Sequence, residues 1–208
     1  MRIVYLLIGL TLWGECGTAF ATSPEIVMLQ TMIESDMSGD PSVRHSMATP
    51  DAVVVVPSSR QIDRADVVYD LGADAIEIAK SWQFDTSSAK CSPTACQFHV
   101  VYRVIGTTVG SGVPSWNRNR GREIRLLPTV IDRRVQYNLI KIDGAWRLKM
   151  LPPPYVSPKI LEAFFKREME RAALSTPALG ADARAVKNRE VVEVWRQRQL
   201  DILKSVSP

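Results

Sequence analysis

Apolar residues recur along this chain at two different periods, and the changes of period divide it. From 23 to 37 (SPEIVMLQTMIESDM), Ile26, Val27, Leu29, Met32 and Ile33 follow a 3.6-residue repeat, which predicts a helix. Ser23 suits its cap, Pro24 its first turn and Glu25 its positive end, while Ser38-Gly39-Asp40-Pro41 stops it. Residues 41 to 62 carry no clear repeat. Within them AVVVVPSSR is a β-branched run stopped by Pro57, an edge strand or an extended loop. Val67, Val68 and Leu71 return to helical spacing, so a short helix is expected from about Asp63 to Leu71, with Gly72 as its stop.

The period then drops to two. In AIEIAKSWQF, Ile76, Ile78, Trp82 and Phe84 are expected on one strand face. After the turn-rich SSAKCSPTACQ, Phe98, Val100, Tyr102 and Val104 share one face, and His99, Val101, Arg103 and Ile105 share the other. TTVGSGVPSWNRNRGR is expected to be a loop. EIRLLPTVI and RRVQYNLIKI are strand-like, with a bend or bulge at Pro128. Asp143-Gly144 is a two-residue hairpin signal and AWRLKML its return strand. That turn would pair Ile142 with Ala145, Lys141 with Trp146 and Leu139 with Leu148. It assigns Val135, Tyr137, Leu139, Trp146, Leu148 and Met150 to a core face, and Gln136, Asn138, Ile140, Arg147 and Lys149 to a polar one. After Pro152-Pro153-Pro154, Ser157 and Pro158 open a helix whose apolar face is Ile160, Leu161, Phe164, Phe165 and Met169. Thr176-Pro177 and Gly180 break it. A last helix, about 182 to 204, carries the stripe Val191, Val192, Trp195, Ile202 and Leu203.

Helices that lead into hairpin-linked strands define an α+β class: N-terminal helices packed on a curved antiparallel sheet, one face dry and one wet, with a C-terminal helical extension. The segment VQYNLIKIDGAWRL, an alternating strand, Asp-Gly turn, Trp, Arg and a second alternating strand, resembles the closing hairpin of NTF2-like domains, over about residues 24 to 155. The resemblance implies a cone of sheet wrapped on helices with an interior pocket. That fold hosts isomerases, dehydratases, binding modules and secretion-system parts, so it assigns no activity.

Composition adds compartment. Arg2, the apolar run from Ile3 to Trp13 and the small residues Ala19 and Ala21 lay out a cleaved secretory signal, residues 1 to 21. A retained membrane anchor is the alternative, although the run is short for a span of about 20 residues. Cleavage would leave 187 of 208 residues, divided as 22–155 for the α+β unit and 156–208 for the extension. The formal charge of +4 is mildly basic and selects no partner by itself. Cys91 and Cys96 form an even pair at a hairpin tip in an exported chain, which makes a disulfide the default. A metal set of Cys91, Cys96, His99 and His45 is disfavoured, because residues three apart on a strand point to opposite faces. No metal or cofactor is called for.

Candidate chemistry is sparse. Tyr102 and Tyr137 fall on core faces, where a hydroxyl could polarise a carbonyl, or simply find a core partner. Asp63, Asp66, Asp70 and Asp74 read as a solvated helix face rather than a cation site. On the polar sheet face, His99, Arg103, Gln136, Asn138, Arg147 and Lys149 could receive an acidic protein surface. Arg118, Arg120, Arg122 and Arg125 beside Trp116 could grip phosphate, but outside the cytoplasm an acidic protein or polymer, or a solvated turn, suits them better than nucleic acid. Lys141 is expected over Trp146. No hydrolase, metalloprotease, phosphate-loop or dinucleotide motif is present. The expectation is an exported, non-enzymatic module that binds an envelope protein, with self-association through the terminal helix as a further possibility. The alternative is an isomerase-like pocket protein.

Overall fold

The computed structural model describes residues 23–40, 42–55, 61–63, 76–114, 122–174 and 183–207. Helix α1 (Pro24–Met37) leads to the short α2 (Ser42–Met47), then strands β1 (Ala48–Val55) and β2 (Gln61–Asp63). Strands β3 (Glu77–Cys91), β4 (Ala95–Pro114), β5 (Arg122–Ile142), β6 (Ala145–Leu151) and β7 (Tyr155–Val156) follow, and helices α3 (Pro158–Leu174) and α4 (Ala183–Val206) complete the chain. The class is α+β, with one seven-stranded sheet in the order β2-β1-β6-β5-β4-β3-β7.

The sheet is mixed rather than wholly antiparallel. β1 runs parallel to β6, and β7 parallel to β3. The β-branched run is therefore no edge: β1 is hydrogen-bonded on both sides, with β2 outside it. Asp63 belongs to β2, while the rest of the helix expected to Leu71, and Asp66, Asp70 and Asp74, lie outside the described residues. The expected loop after Gly106 is also shorter. β4 continues to Pro114 and β5 begins at Arg122, with Arg125 exposed opposite Val109. Trp116, Arg118 and Arg120 lie outside the described residues.

The closing hairpin has the expected register, Ile142 on Ala145, Lys141 on Trp146 and Leu139 on Leu148. Asp143 and Gly144 both have positive φ, 51° and 78°, as a type I′ turn needs to match the twist of its strands. Helix α1 stops where expected. Gly39 takes φ 80°, the Asp40 amide donates to the Ser35 carbonyl and the Gly39 amide to that of Asp36, a Schellman-type end. Ser23 occupies the cap position, but its backbone carbonyl rather than its hydroxyl receives the first-turn amides.

Two cores result. The first gathers Ile26, Leu29, Met32 and Ile33 of α1 against Phe98, Val100, Tyr102 and Val104 of β4 and Tyr137, Leu139 and Leu148 of the hairpin. The second packs α3 and α4, through Leu161, Phe164, Phe165, Leu200 and Leu203, on Ile76, Ile78, Ile105, Ile124 and Leu126. Helical cover over that end of the sheet explains why Ile105, on the otherwise wet face of β4, is buried.

Bulges revise the expected faces. Pairing of β3 with β4 shifts between Ile78 and Ser81, so Ile76 and Ile78 join the second core while Trp82 and Phe84 pack on the first. Pairing of β6 with β1 is interrupted after Leu148, which leaves Met150 exposed and buries Leu151 instead. In α4, Val191 is exposed and Val192 buried, so the stripe is Val192, Trp195, Leu200 and Leu203. The bend at Pro128 is a bulge opposite Val104 and Gly106. Gly106 is required by packing: a Cβ there would stand 2.6 Å from Leu126 Cδ1 and 3.0 Å from the Leu127 carbonyl. Gly106→Ala is expected to lower stability by about 1–3 kcal/mol, the usual cost of overpacking, read as a lower denaturant midpoint at unchanged slope.

Candidate functional site

The interior of the first core holds a file of polar side chains. Tyr102 of β4 and Tyr137 of β5, both fully buried, bond hydroxyl to hydroxyl at 2.6 Å. Tyr155 of β7 stacks flat on Tyr102, ring centroids 3.8 Å apart. On the α1–α2 side, Arg44 is fully buried. Its Nε donates to both oxygens of Asp36 at 3.0 Å, its Nη2 to Asp36 Oδ2 at 2.5 Å and its Nη1 to the Pro152 carbonyl at 2.5 Å. At the other end, Glu77 of β3 accepts from the half-exposed Arg133 of β5 at 2.7 Å and lies beside the Tyr155 hydroxyl.

Burial governs the electrostatics of this file. It pushes the Tyr102 hydroxyl well above its ordinary range, with the Tyr137 partner adding to the effect and the Asp36 charge contributing less. Tyr137 is raised mainly by burial, and Tyr155 by burial and then by Glu77. Such hydroxyls stay neutral near pH 7 and act as hydrogen-bond donors, not bases. Sequence reasoning placed the two tyrosines together on core faces; the structure joins them and adds Asp36 as the nearby carboxylate. Both of its oxygens are engaged by Arg44, so the group an isomerase would use as a base is already paired.

A second buried ion pair holds α4 down. Arg196 donates from Nε and Nη2 to the two Glu123 oxygens, at 3.0 and 2.8 Å, and from Nη1 to the Glu168 carbonyl at 2.7 Å. Beside it, Gln199 accepts from the Leu126 amide and Trp195 donates to the Ile124 carbonyl, so α4 satisfies the outer edge of β5.

The polar sheet face is as the register predicts, and much of its charge is paired. Arg103 meets Asp132 at 3.0 Å and Arg134 meets Asp85 at 2.6 Å. The Ser87 hydroxyl, and less strongly Arg134 and His99, hold the Asp85 carboxyl below its usual range. Gln136 donates to Asn138, Arg147 donates to the Ser46 carbonyl, and Lys149 is exposed. His99 is half-buried on this face. Lys141 stands 5.7 Å over the Trp146 ring.

Cys91 and Cys96 are bonded directly across the β3–β4 hairpin, Cα atoms 4.1 Å apart. Cys96 belongs to the first core whereas His99 lies on the outer face, and the side chain of His45 is outside the described residues. The neighbour that sequence spacing does not reveal is Glu25 of α1, whose carboxylate lies within 4.8 Å of both sulfurs. Among the described residues, no helix is long and apolar enough to cross a membrane.

Asp36, Glu168 and Arg196 did leave a sequence signal. Each stands at a core position of its helix: Asp36 after Leu29 and Ile33, Glu168 after Leu161 and Phe165, Arg196 after Val192. A charge in an apolar stripe predicts an internal partner. Arg44, on the six-residue α2, has too little periodicity around it to be read that way.

No protein family matches the chain by sequence, and no curated protein does. Solved structures resemble it in fold. The chain is similar to an NTF2-like protein from Cytophaga hutchinsonii, at 10% identity over 61% of this chain and 90% of that one, TM-score 0.38. It is similar to a protein with a cystatin-like fold from Caulobacter vibrioides, at 13% identity over 60% and 81%, TM-score 0.40. A third is the association domain of C. elegans CaMKII, at 12% identity over 64% and 95%, TM-score 0.34. The likeness to NTF2-like proteins is thus weak.

Two outcomes are expected. Arg44→Ala leaves Asp36 buried without its counter-charge and should cost about 3–5 kcal/mol in equilibrium unfolding. Tyrosines in the unfolded chain ionise near pH 10, and the folded state raises Tyr102, Tyr137 and Tyr155 above that value. Their contribution to stability is therefore complete below about pH 10 and is lost as pH rises beyond it. Tyrosinate absorbance should show all three ionising only as the fold opens, and Tyr102→Phe should reduce the steepness of that alkaline loss.

Proposed function

We propose that this chain is an exported, non-enzymatic module that binds a protein partner through the outer face of its sheet. The observation that carries the reading is the contrast between the two faces. Inside, Tyr102 bonds Tyr137 and Asp36 is paired with Arg44, and both tyrosines are withdrawn from solvent. Outside, His99, Arg103, Asn138, Arg147 and Lys149 line one continuous face of β4, β5 and β6, where Arg103, Arg134, Arg147 and Lys149 outnumber Asp85 and Asp132. An acidic surface could exchange for the Asp132 and Asp85 carboxylates at little desolvation cost, since exposed pairs are worth only about 0–1 kcal/mol. Export is supported by the signal-like residues 1 to 21 and by the Cys91–Cys96 bond, of a kind that persists in oxidising compartments. The isomerase-like alternative draws on the tyrosine pair alone, and would require the first core to open around it.

Both parts can be tested on the full-length product. Fractionation should recover a chain that begins at Thr22 in the periplasmic or secreted fraction, identified by intact mass. Cross-linking in envelope extract should capture a partner that Arg103→Glu combined with Lys149→Glu releases by about tenfold or more, as expected of interfacial charges. An intact N-terminus in cytosol, or capture indifferent to charge reversal, would refute the proposal.

A further inference from the structure

The hairpin disulfide is asymmetric in a way that a purely structural cross-link does not need. Cys91 is exposed, while Cys96 is 3% exposed within the first core. The first turn of α1 brings Glu25 over the bond, its carboxylate and both sulfurs within 4.8 Å of one another. A solvent-open pocket of about 470 Å³ starts at the two cysteines and is bordered by Lys90, Gln97 and Asn138. Three separate segments thus converge on one bond, with an attackable sulfur, a sheltered sulfur, a carboxyl group and room for a small molecule.

We propose that Cys91–Cys96 is a thiol–disulfide exchange site for small anionic thiols, with Glu25 as its proton carrier. An incoming thiolate attacks Cys91 Sγ, which belongs to the more exposed of the two cysteines. A new S–S bond forms to Cys91, the Cys91–Cys96 bond breaks, and its electron pair leaves on Cys96 Sγ. That thiolate would sit in apolar surroundings beside a carboxylate, both of which disfavour the charge. A protonated Glu25 relieves both by passing its proton to Cys96, and recovers one from solvent. A second small thiolate then attacks the sulfur of the first and expels Cys91 as a thiolate, which takes a proton from water. In sum, two small thiols are oxidised to their disulfide and the protein disulfide is reduced to two cysteines. The pocket lies within the range of small-ligand sites, about 300–1,000 Å³, and the Lys90 ammonium on its rim favours a thiol that carries carboxylates. This proposal does not rest on partner binding at the outer face, although the pocket shares Asn138 with that face.

Reduced glutathione serves as the probe, acting on the oxidised full-length protein after signal removal, with acid quenching, alkylation and mass measurement. Native disulfide should be reduced without denaturant. Glu25→Gln should slow the reaction by about tenfold or more, and Glu25→Asp should restore the rate. With oxidised glutathione, the Cys96→Ser variant should form a mixed disulfide at Cys91 at least about tenfold faster than Cys91→Ser forms one at Cys96, because access sets the rate. A wild-type rate in Glu25→Gln, equal reactivity of the two single-cysteine variants, or reduction only in denaturant would overturn the proposal and leave the bond a structural link.

Discussion

A guanidinium group withdrawn from water must have its charge neutralised and its donors satisfied, and Arg44 imposes that constraint on the first core. Its partners come from two places far apart in sequence, the Asp36 carboxylate on α1 and the Pro152 carbonyl after β6. Satisfying both fixes where α1 ends, where α2 begins and where the chain leaves the sheet. That placement in turn sets the Ser157 amide against the Met37 carbonyl and starts α3 beside the end of α1. Gly39, which packs against Ile160 with positive φ, allows this close approach. Such a pair contributes little net stability, since desolvation offsets most of its attraction. It contributes geometry, because displacing α1 would part the buried guanidinium from its carboxylate.

The same logic recurs in the second core. Arg196 joins α4 to β5 through Glu123 and to α3 through the Glu168 carbonyl. A helix that only covered Ile124 and Leu126 could slide along the apolar surface. One that also pairs a buried guanidinium and hydrogen-bonds the outer edge of β5 through Gln199 and Trp195 cannot. The two cores are thus each registered by an internal arginine, and the sheet between them bulges at Ile78–Ser81 and at Pro128 so that one set of strands can serve both. The long β4 and β5 make this possible, since their Gly106–Pro114 and Arg122–Pro128 ends extend past β6 and need cover of their own.

What could be read from sequence follows from how locally each feature is encoded. The Asp143-Gly144 turn fixes its own register, so the closing hairpin and the faces of Tyr137, Leu139 and Leu148 were legible to the residue. Helix α1, with its Pro24 start and Gly39 stop, was equally local, and the α+β class followed from the order of periods. The bulges were not legible. Alternation counts residues, and an extra residue at Ile78–Ser81, or an interrupted pairing after Leu148, depends on the neighbouring strand. For that reason alternation alone groups Trp82 with Ile78 and assigns Met150 to the core face. Parallel pairing of β1 with β6 and β7 with β3 is a long-range choice that no local pattern announces. At the site, Tyr102 and Tyr137 were found because they alternate with apolar residues. Arg44 was missed because a six-residue helix offers no period against which a misplaced charge would stand out.

The pairing of charges also separates what the two surfaces of the sheet can do. On the inner face Asp36 and Arg44 are paired at almost no exposure, so a change of partner there would strand a charge away from water, at a cost of several kcal/mol. Chemistry at Tyr102 or Tyr137 would have to overcome that barrier before a ligand gained any contact. On the outer face the Arg103–Asp132 and Arg134–Asp85 pairs stand in solvent, where opening one costs roughly a tenth as much. Exchange of partners is therefore inexpensive outside and prohibitive inside. The Cys91–Cys96 bond lies at the hairpin tip, where Cys91 is exposed and Cys96 is buried in the core, with Glu25 beside both sulfurs. It is the place among the described residues where a covalent bond, and not only an ion pair, is offered to solvent from one end while its other end stays anchored in the core.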